Sequence, residues 1–250
     1  MPGMELGLAG QVALVAGGGR GIGRQAALAL AREGARVAVL ARTEAELLTV
    51  DGALPLPADL TDRVAVDAAL ERLRADLGPP TLLVLAAAAL YRPAKLHNLP
   101  AEDADALLAL DLGAAIHLCR VALPGMLAAR GGRIVAISSL AARTGLPGAT
   151  LYAAAKAGLE GLVRGLAVDY SRHGITANAI AVGFAETPRL EVRLGGDADA
   201  RARLERSTAS RRLVAADEVA DVVAFLCSTR AAAITGAVID VTCGAHLGNL

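Results

Sequence analysis

Tyr152 and Lys156 stand four residues apart in "LYAAAKAGLEGL", and Ser139 closes the apolar run "GRIVAISS" ahead of them. The chain has three tyrosines and two lysines, so chance would put a Tyr four residues before a Lys in roughly 2% of such sequences. On a helix, positions i and i+4 share a face, which brings the lysine ammonium close to the phenol. At about 5 Å and an effective dielectric near 20, that charge favours phenolate by roughly 3 kcal/mol. A phenol so placed can act as a general acid or base near neutral pH, and Ser139 could hydrogen-bond a substrate oxygen. The plainer readings are strand-end turn chemistry for Ser138 and Ser139 and a core-edge aromatic for Tyr152.

A second group lies at the start of the chain, in "AGGGRGIGRQAALALAREGA". An apolar run ends there in Gly17, Arg20, Gly21, Ile22 and Gly23, and an amphipathic helical pattern follows to Gly34. Such a loop brings backbone N–H groups up to a pyrophosphate, and the helix dipole favours the anion. A Gly-rich strand-to-helix turn without a ligand is the alternative. After the second apolar run come Leu40, Ala41, Arg42 and Thr43, with no carboxylate in the turn to hold a ribose 2′-hydroxyl. Arg42, together with Arg20, offers guanidinium groups suited to a 2′-phosphate, so NADP(H) is expected rather than NAD(H). Thr43 with Glu46 three residues on also reads as a helix capping box.

Both groups must be held by a scaffold, and the hydropathy pattern supplies one. Apolar runs begin at residues 11, 36, 81, 132, 175 and 237, with a weaker run at 53–58, and longer helical patterns separate them. The runs are apolar throughout rather than alternating, as strands are when helices cover both faces of a parallel sheet. The expected fold is a single doubly wound α/β (Rossmann) domain, 1–250, of about seven strands. Within it, 188–212 is polar and Gly-broken and is expected to form a lid over a site.

Composition narrows the function classes. The chain has 25 basic and 25 acidic residues, and no basic block or aromatic stripe suggests a nucleic-acid partner. Cys119, Cys227 and Cys243 lack metal-type spacing and the four histidines are scattered, so no metal site or disulfide framework is expected. "MPGMELGLAG" carries no leader pattern, and the longest uncharged apolar stretch, near 79–91, is too short for a membrane span. A cytoplasmic protein without a membrane partner is expected.

With these residues in view, the chain resembles the classical short-chain dehydrogenase/reductases almost end to end. The resemblance implies that Tyr152 exchanges a proton with the substrate oxygen, Ser139 positions that oxygen, and Lys156 also holds the nicotinamide ribose. It places Asp59 and Leu60 at the adenine, Ala87 among the cofactor contacts, and Gly183 and Thr187 on the nicotinamide side. A Tyr-to-Lys spacing of four is similar to that of the family's ketone and alcohol enzymes rather than its enoyl reductases. A homotetramer is also implied.

The chain departs from that pattern in its nucleotide shell. Ala86 to Ala89 stand where the family usually has Asn-Asn-Ala-Gly, so an apolar contact is expected in place of a polar brace between strands. Ala16 replaces a usual Thr and Val182 a usual Pro. Asp111 replaces the Asn that is usually the fourth catalytic residue, and it is expected near Lys156, directly or through water. Two functions remain open: an NADP(H)-dependent ketone/alcohol oxidoreductase, or a non-catalytic NADP(H)-binding sensor or assembly protein. "LAARTGLPG" and the aliphatic lid flank suggest a pocket for a hydrophobic ketone, with a 3-oxoacyl thioester as the other candidate.

Overall fold

Seven strands form one parallel sheet in the order β3-β2-β1-β4-β5-β6-β9 in a computed structural model that describes residues 5–247. The strands are β1 (Val12–Ala16), β2 (Arg36–Ala41), β3 (Leu54–Pro57), β4 (Leu82–Leu85), β5 (Gly132–Ser139), β6 (Ile175–Val182) and β9 (Val238–Val241). They coincide with the seven apolar runs of the sequence. A two-stranded parallel pair, β7 (Ala185–Glu186) and β8 (Val214–Ala215), lies outside the main sheet. The expected domain span of 1–250 includes residues 1–4 and 248–250, which fall outside the described residues.

The crossovers are α1 (Gly21–Arg32), the short α2 (Glu44–Leu47), α3 (Arg63–Asp76), α4 (Ala101–Leu108), α5 (Ala114–Ala128), the short α6 (Ala141–Thr144), α7 (Thr150–Tyr170), α8 (Pro188–Leu194), α9 (Ala198–Arg206) and α10 (Ala216–Cys227). Buried residues divide into two clusters, one on each face of the sheet. One joins α3, α5 and α7 to residues such as Leu14, Leu83, Ile134 and Ala177. The other joins α1 and α10 to Val15, Val39, Val84 and Ile180. Adjacent residues of one strand therefore enter opposite cores, which is why the strands are apolar throughout. The strand order reverses between β1 and β4, and ligands of such sheets bind at that reversal, beyond the carboxyl ends of the strands.

By length and a mean hydropathy of 1.7 the helical run Ala101–Ala128 could cross a membrane, although it carries Glu102, Asp103, Asp105, Asp111 and Arg120, whereas the stretch near 79–91 is uncharged. The helical run packs instead in the core through Leu107, Leu118, Leu123 and Met126, with the carboxylate of Asp111 buried within it. That run is also not one uniform helix, because Ala109–Gly113 is wound as a π-helix between α4 and α5.

Candidate active site

The glycine loop is shaped by close approach. Gly17 has φ +79°, and a Cβ there would lie 2.7 Å from the backbone nitrogen of Ala87, so the loop passes the exit of β4 with no room for a side chain. A Cβ on Gly23 would run into the Gly17 carbonyl oxygen, so the first turn of α1 can close on the loop only with glycine there. Arg20 occupies the extended N-cap position of α1 without a side-chain capping bond, and the first turn holds no acidic residue. The open N–H groups and the helix dipole fit a dinucleotide pyrophosphate.

At the far end of this loop, Arg20 and Arg42 project with 64% and 71% of their side-chain surface exposed. Each faces a carboxylate: Arg20 lies 3.7 Å from Glu46, and Arg42 lies 4.0 Å from Asp59. Asp59 accepts from the backbone N–H of Thr61 at 2.8 Å and its hydroxyl at 2.7 Å. Those bonds, the backbone one first, hold its carboxyl below the usual range, with a smaller contribution from Arg42. Thr43 is the N-cap residue of α2, but the expected capping box does not form, because its side chain makes no capping bond. The Glu46 carboxylate turns to the Arg20 guanidinium instead.

The four alanines fill the middle of the site. The Ala86 N–H donates to the Ala16 carbonyl at 2.9 Å, and the Ala86 and Ala87 side chains join opposite cores, giving the expected apolar contact. A polar tie is nevertheless present one turn on. The backbone N–H of Ala89 donates to Asp111 Oδ1 at 2.5 Å, from the π-helical segment. A π-turn inserts one extra residue into a helix and re-aims the side chains around it.

Asp111 also lies directly beside Lys156, with Oδ2 3.5 Å from Nζ and both side chains buried. No water is needed to connect them. Lys156 Nζ donates to the Ile137 carbonyl at 3.1 Å and lies 5.7 Å from the Tyr152 ring centre. Both residues project from α7, where the one-turn spacing gives them a common face. Ser139 ends β5 half-buried, and its Oγ accepts from the Ala141 N–H at 3.2 Å. Ser138 does different work: its hydroxyl donates to Glu160 Oε1 at 3.0 Å and braces α7 against β5.

Gly183 follows β6, and Thr187 caps α8 by accepting from the Leu190 N–H at 3.4 Å. The expected cofactor residues, from Gly17 and Ile22 through Asp59, Leu60 and Ala87 to Thr187, line one cleft of about 340 Å³ together with Ser139, Tyr152 and Lys156. Asp111 lies beneath its floor, beside a smaller void. Among the charged and tyrosine side chains of this cleft, sequence reasoning missed four. Glu46 was assigned to capping, and Tyr91, Arg189 and Arg193 belong to loops or the lid. Tyr91 stacks on Tyr152 with ring centres 4.6 Å apart, and Arg189 lies over both rings. Tyr91 stands four residues before Lys95, the same spacing as Tyr152 and Lys156, but in a Pro-containing stretch that forms no helix, so spacing alone gave the two tyrosines no common site.

The family described as enoyl-(acyl carrier protein) reductase matches residues 16–246. The chain is 34% identical over 243 residues to 3-oxoacyl-(acyl-carrier-protein) reductase FabG of Escherichia coli (strain K12), covering 95% of this chain and 98% of that one. It is 36% identical over 247 residues to the acetoacetyl-CoA reductase of Synechocystis sp. (strain ATCC 27184 / PCC 6803 / Kazusa), covering 97% and 99%. A solved structure described as ribose-5-phosphate isomerase from Brucella melitensis 16M is 32% identical, with a TM-score of 0.91 over 96% of this chain and 94% of that one. That name denotes a different chemistry from the two reductases, while the fold is the same. By family match, by relatives over nearly the whole length and by its parallel sheet, the chain belongs to the short-chain dehydrogenase/reductase family, a family of oxidoreductases.

Proposed function

We propose that the protein is an NADP(H)-dependent oxidoreductase that interconverts a ketone and a secondary alcohol, with Tyr152 as general acid and base. The observation that carries this reading is the burial of the Lys156 ammonium, 2% exposed, against Asp111 and beneath the Tyr152 ring. Desolvating two ions costs several kcal/mol that an apolar pair would not, so such a pair inside a cleft points to chemistry rather than to packing. The glycine loop and the open start of α1 fit a dinucleotide, with Arg20 and Arg42 toward the adenosine end. Asp59, Leu60 and Ala87 would line that cofactor, and Gly183 and Thr187 would flank its nicotinamide.

A bound nicotinamide supplies hydride in reduction and receives it in oxidation. In reduction, Tyr152 gives its hydroxyl proton to the carbonyl oxygen, and the resulting phenolate is stabilised by the Lys156 ammonium. In oxidation, the phenolate takes the alcohol proton back. Ser139 donates a hydrogen bond that holds the reacting oxygen at Tyr152. Asp111 fixes Lys156 from below and is a positioning residue.

The segment 188–212, whose α8 lines the cleft, acts as its lid in this reading. Exposed Leu108, Ile116 and Val168 on α4, α5 and α7 support a homotetramer, and sedimentation as a monomer would overturn that part.

The decisive experiment measures NADPH oxidation against ketones, oxoacyl thioesters and quinones beside NADPH affinity. Tight NADPH binding with no turnover would favour a non-catalytic sensor. In Tyr152→Phe, turnover should fall at least about a hundredfold while NADPH affinity holds, because the ring still packs and the proton is lost.

A further inference from the structure

We propose that Arg189 and Arg193 form a carboxylate-binding subsite, so that the substrate is a short oxo acid, or the matching hydroxy acid, carrying a free carboxylate a few bonds from the reacting carbon. The inference rests on the oxidoreductase reading for the site of reaction and names the class of molecule that reacts there.

The argument begins with charge pairing. Arg189 and Arg193 are one turn apart on α8, so both can face the cleft, and both line it. The other cationic side chains of the cleft have carboxylate partners: Arg20 faces Glu46, Arg42 faces Asp59, and Lys156 faces Asp111. The carboxylates nearest to α8 are engaged elsewhere. Glu186 and Glu191 both bind Arg201 on α9, which also lies 3.6 Å from Glu205. Among the described residues, neither Arg189 nor Arg193 forms an ion pair.

The Arg189 guanidinium instead lies over the Tyr152 and Tyr91 rings, 5.2 and 5.5 Å from their centres. Burial pushes the Tyr91 phenol up, and the neighbouring charge of Arg193 opposes that rise. Two like charges one turn apart repel each other, and Arg189 is partly withdrawn from water, so an anion between them would relieve both penalties. A guanidinium fork matches a carboxylate. The surrounding wall is apolar, from Leu90, Leu146, Phe184 and Val192, which suits a short aliphatic or cyclic body rather than a second polar group. Because Arg189 stands over the Tyr152 ring itself, the carboxylate it holds must lie within a few bonds of the carbonyl at the phenol.

The test compares 4-oxopentanoate with its methyl ester, which removes the charge and keeps the carbonyl. The parent protein should prefer the acid by at least about tenfold in kcat/KM. In Arg189→Met and Arg193→Met the acid-to-ester ratio should fall toward one, and Arg189→Lys should restore part of it. Equal use of acid and ester by the parent, or an unchanged ratio in both methionine variants, overturns the proposal. So does a loss of NADPH affinity in those variants that lowers acid and ester equally, since the anion would then belong to the cofactor.

Calorimetric titration of 4-oxopentanoate into the NADPH complex separates this inference from the reaction assigned above. Arginine-dependent binding with no turnover of this acid or of any compound of the panel above supports the subsite and sinks the oxidoreductase reading. Absence of binding to the parent overturns the subsite.

Discussion

Asp111→Asn should make the protein less stable and move its oxidative pH profile downward. The asparagine keeps the size of the side chain, and its carbonyl can still accept from the Ala89 N–H, but the charge facing Lys156 is gone. At 3.5 Å and an effective dielectric near 20 the attraction in the pair is roughly 5 kcal/mol, much of it offset by the desolvation of both ions. Removing one partner from a buried pair costs about 3–5 kcal/mol, and retention of the Ala89 bond puts the asparagine variant at the lower end. In a domain of this size that lowers the melting temperature by about 6–12 °C. Asp111→Ala should be worse, because it also orphans the Ala89 N–H at about 1–3 kcal/mol.

The same change alters the field at Tyr152. The ammonium, 5.7 Å from the ring centre, favours phenolate by roughly 3 kcal/mol. The Asp111 carboxylate, no more than about 9 Å from that centre, opposes it by roughly 2 kcal/mol. Without that opposition, oxidation, which needs phenolate, should reach its plateau at lower pH than in the parent. Reduction, which needs the neutral phenol, should fail earlier as pH rises. The assay is kcat/KM in both directions between about pH 5 and pH 10 for parent and variant, with melting curves alongside. Superimposable profiles, or a shift to higher pH, would refute the reasoning.

Arg42→Asp should move cofactor preference from NADPH toward NADH, since it removes a phosphate partner and sets a second carboxylate beside Asp59; parent protein that already binds NADH more tightly in direct titration would count against the NADP(H) assignment. Gly23→Ala should abolish cofactor binding, because the new methyl group overlaps the Gly17 carbonyl, and calorimetric affinity equal to the parent's would contradict that geometry. Cys119 and Cys227 are buried with thiols pushed up to about 12, so a thiol reagent at neutral pH should spare both until the protein unfolds. Cys243, only partly buried and raised for the same reason, should label first in the native state, and rapid labelling of all three by mass spectrometry would show that the core opens readily.

The sheet and the main line of the cleft were legible in the residues alone, because each rests on a local pattern. Seven apolar runs identify seven strands, since a strand covered on both faces has no polar position, and the glycine loop and the Tyr152–Lys156 spacing each lie within one turn or one helix. Contacts between distant segments carried no such signal. The family resemblance, not any local pattern, put Asp111 near Lys156, and the bond from its carboxylate to Ala89, 22 residues away, comes from a π-turn that no periodicity announces. Glu46 could cap its own helix or pair with Arg20, and that choice depends on where the loop brings the guanidinium in space. The stack of Tyr91 on Tyr152 and the position of Arg189 over both rings require β4, α7 and α8 to meet at one edge of the sheet. Local spacing specified the elements and the side chains proposed to react, whereas the pairing of charges across the cleft was set by packing, which brings together residues that the chain keeps far apart.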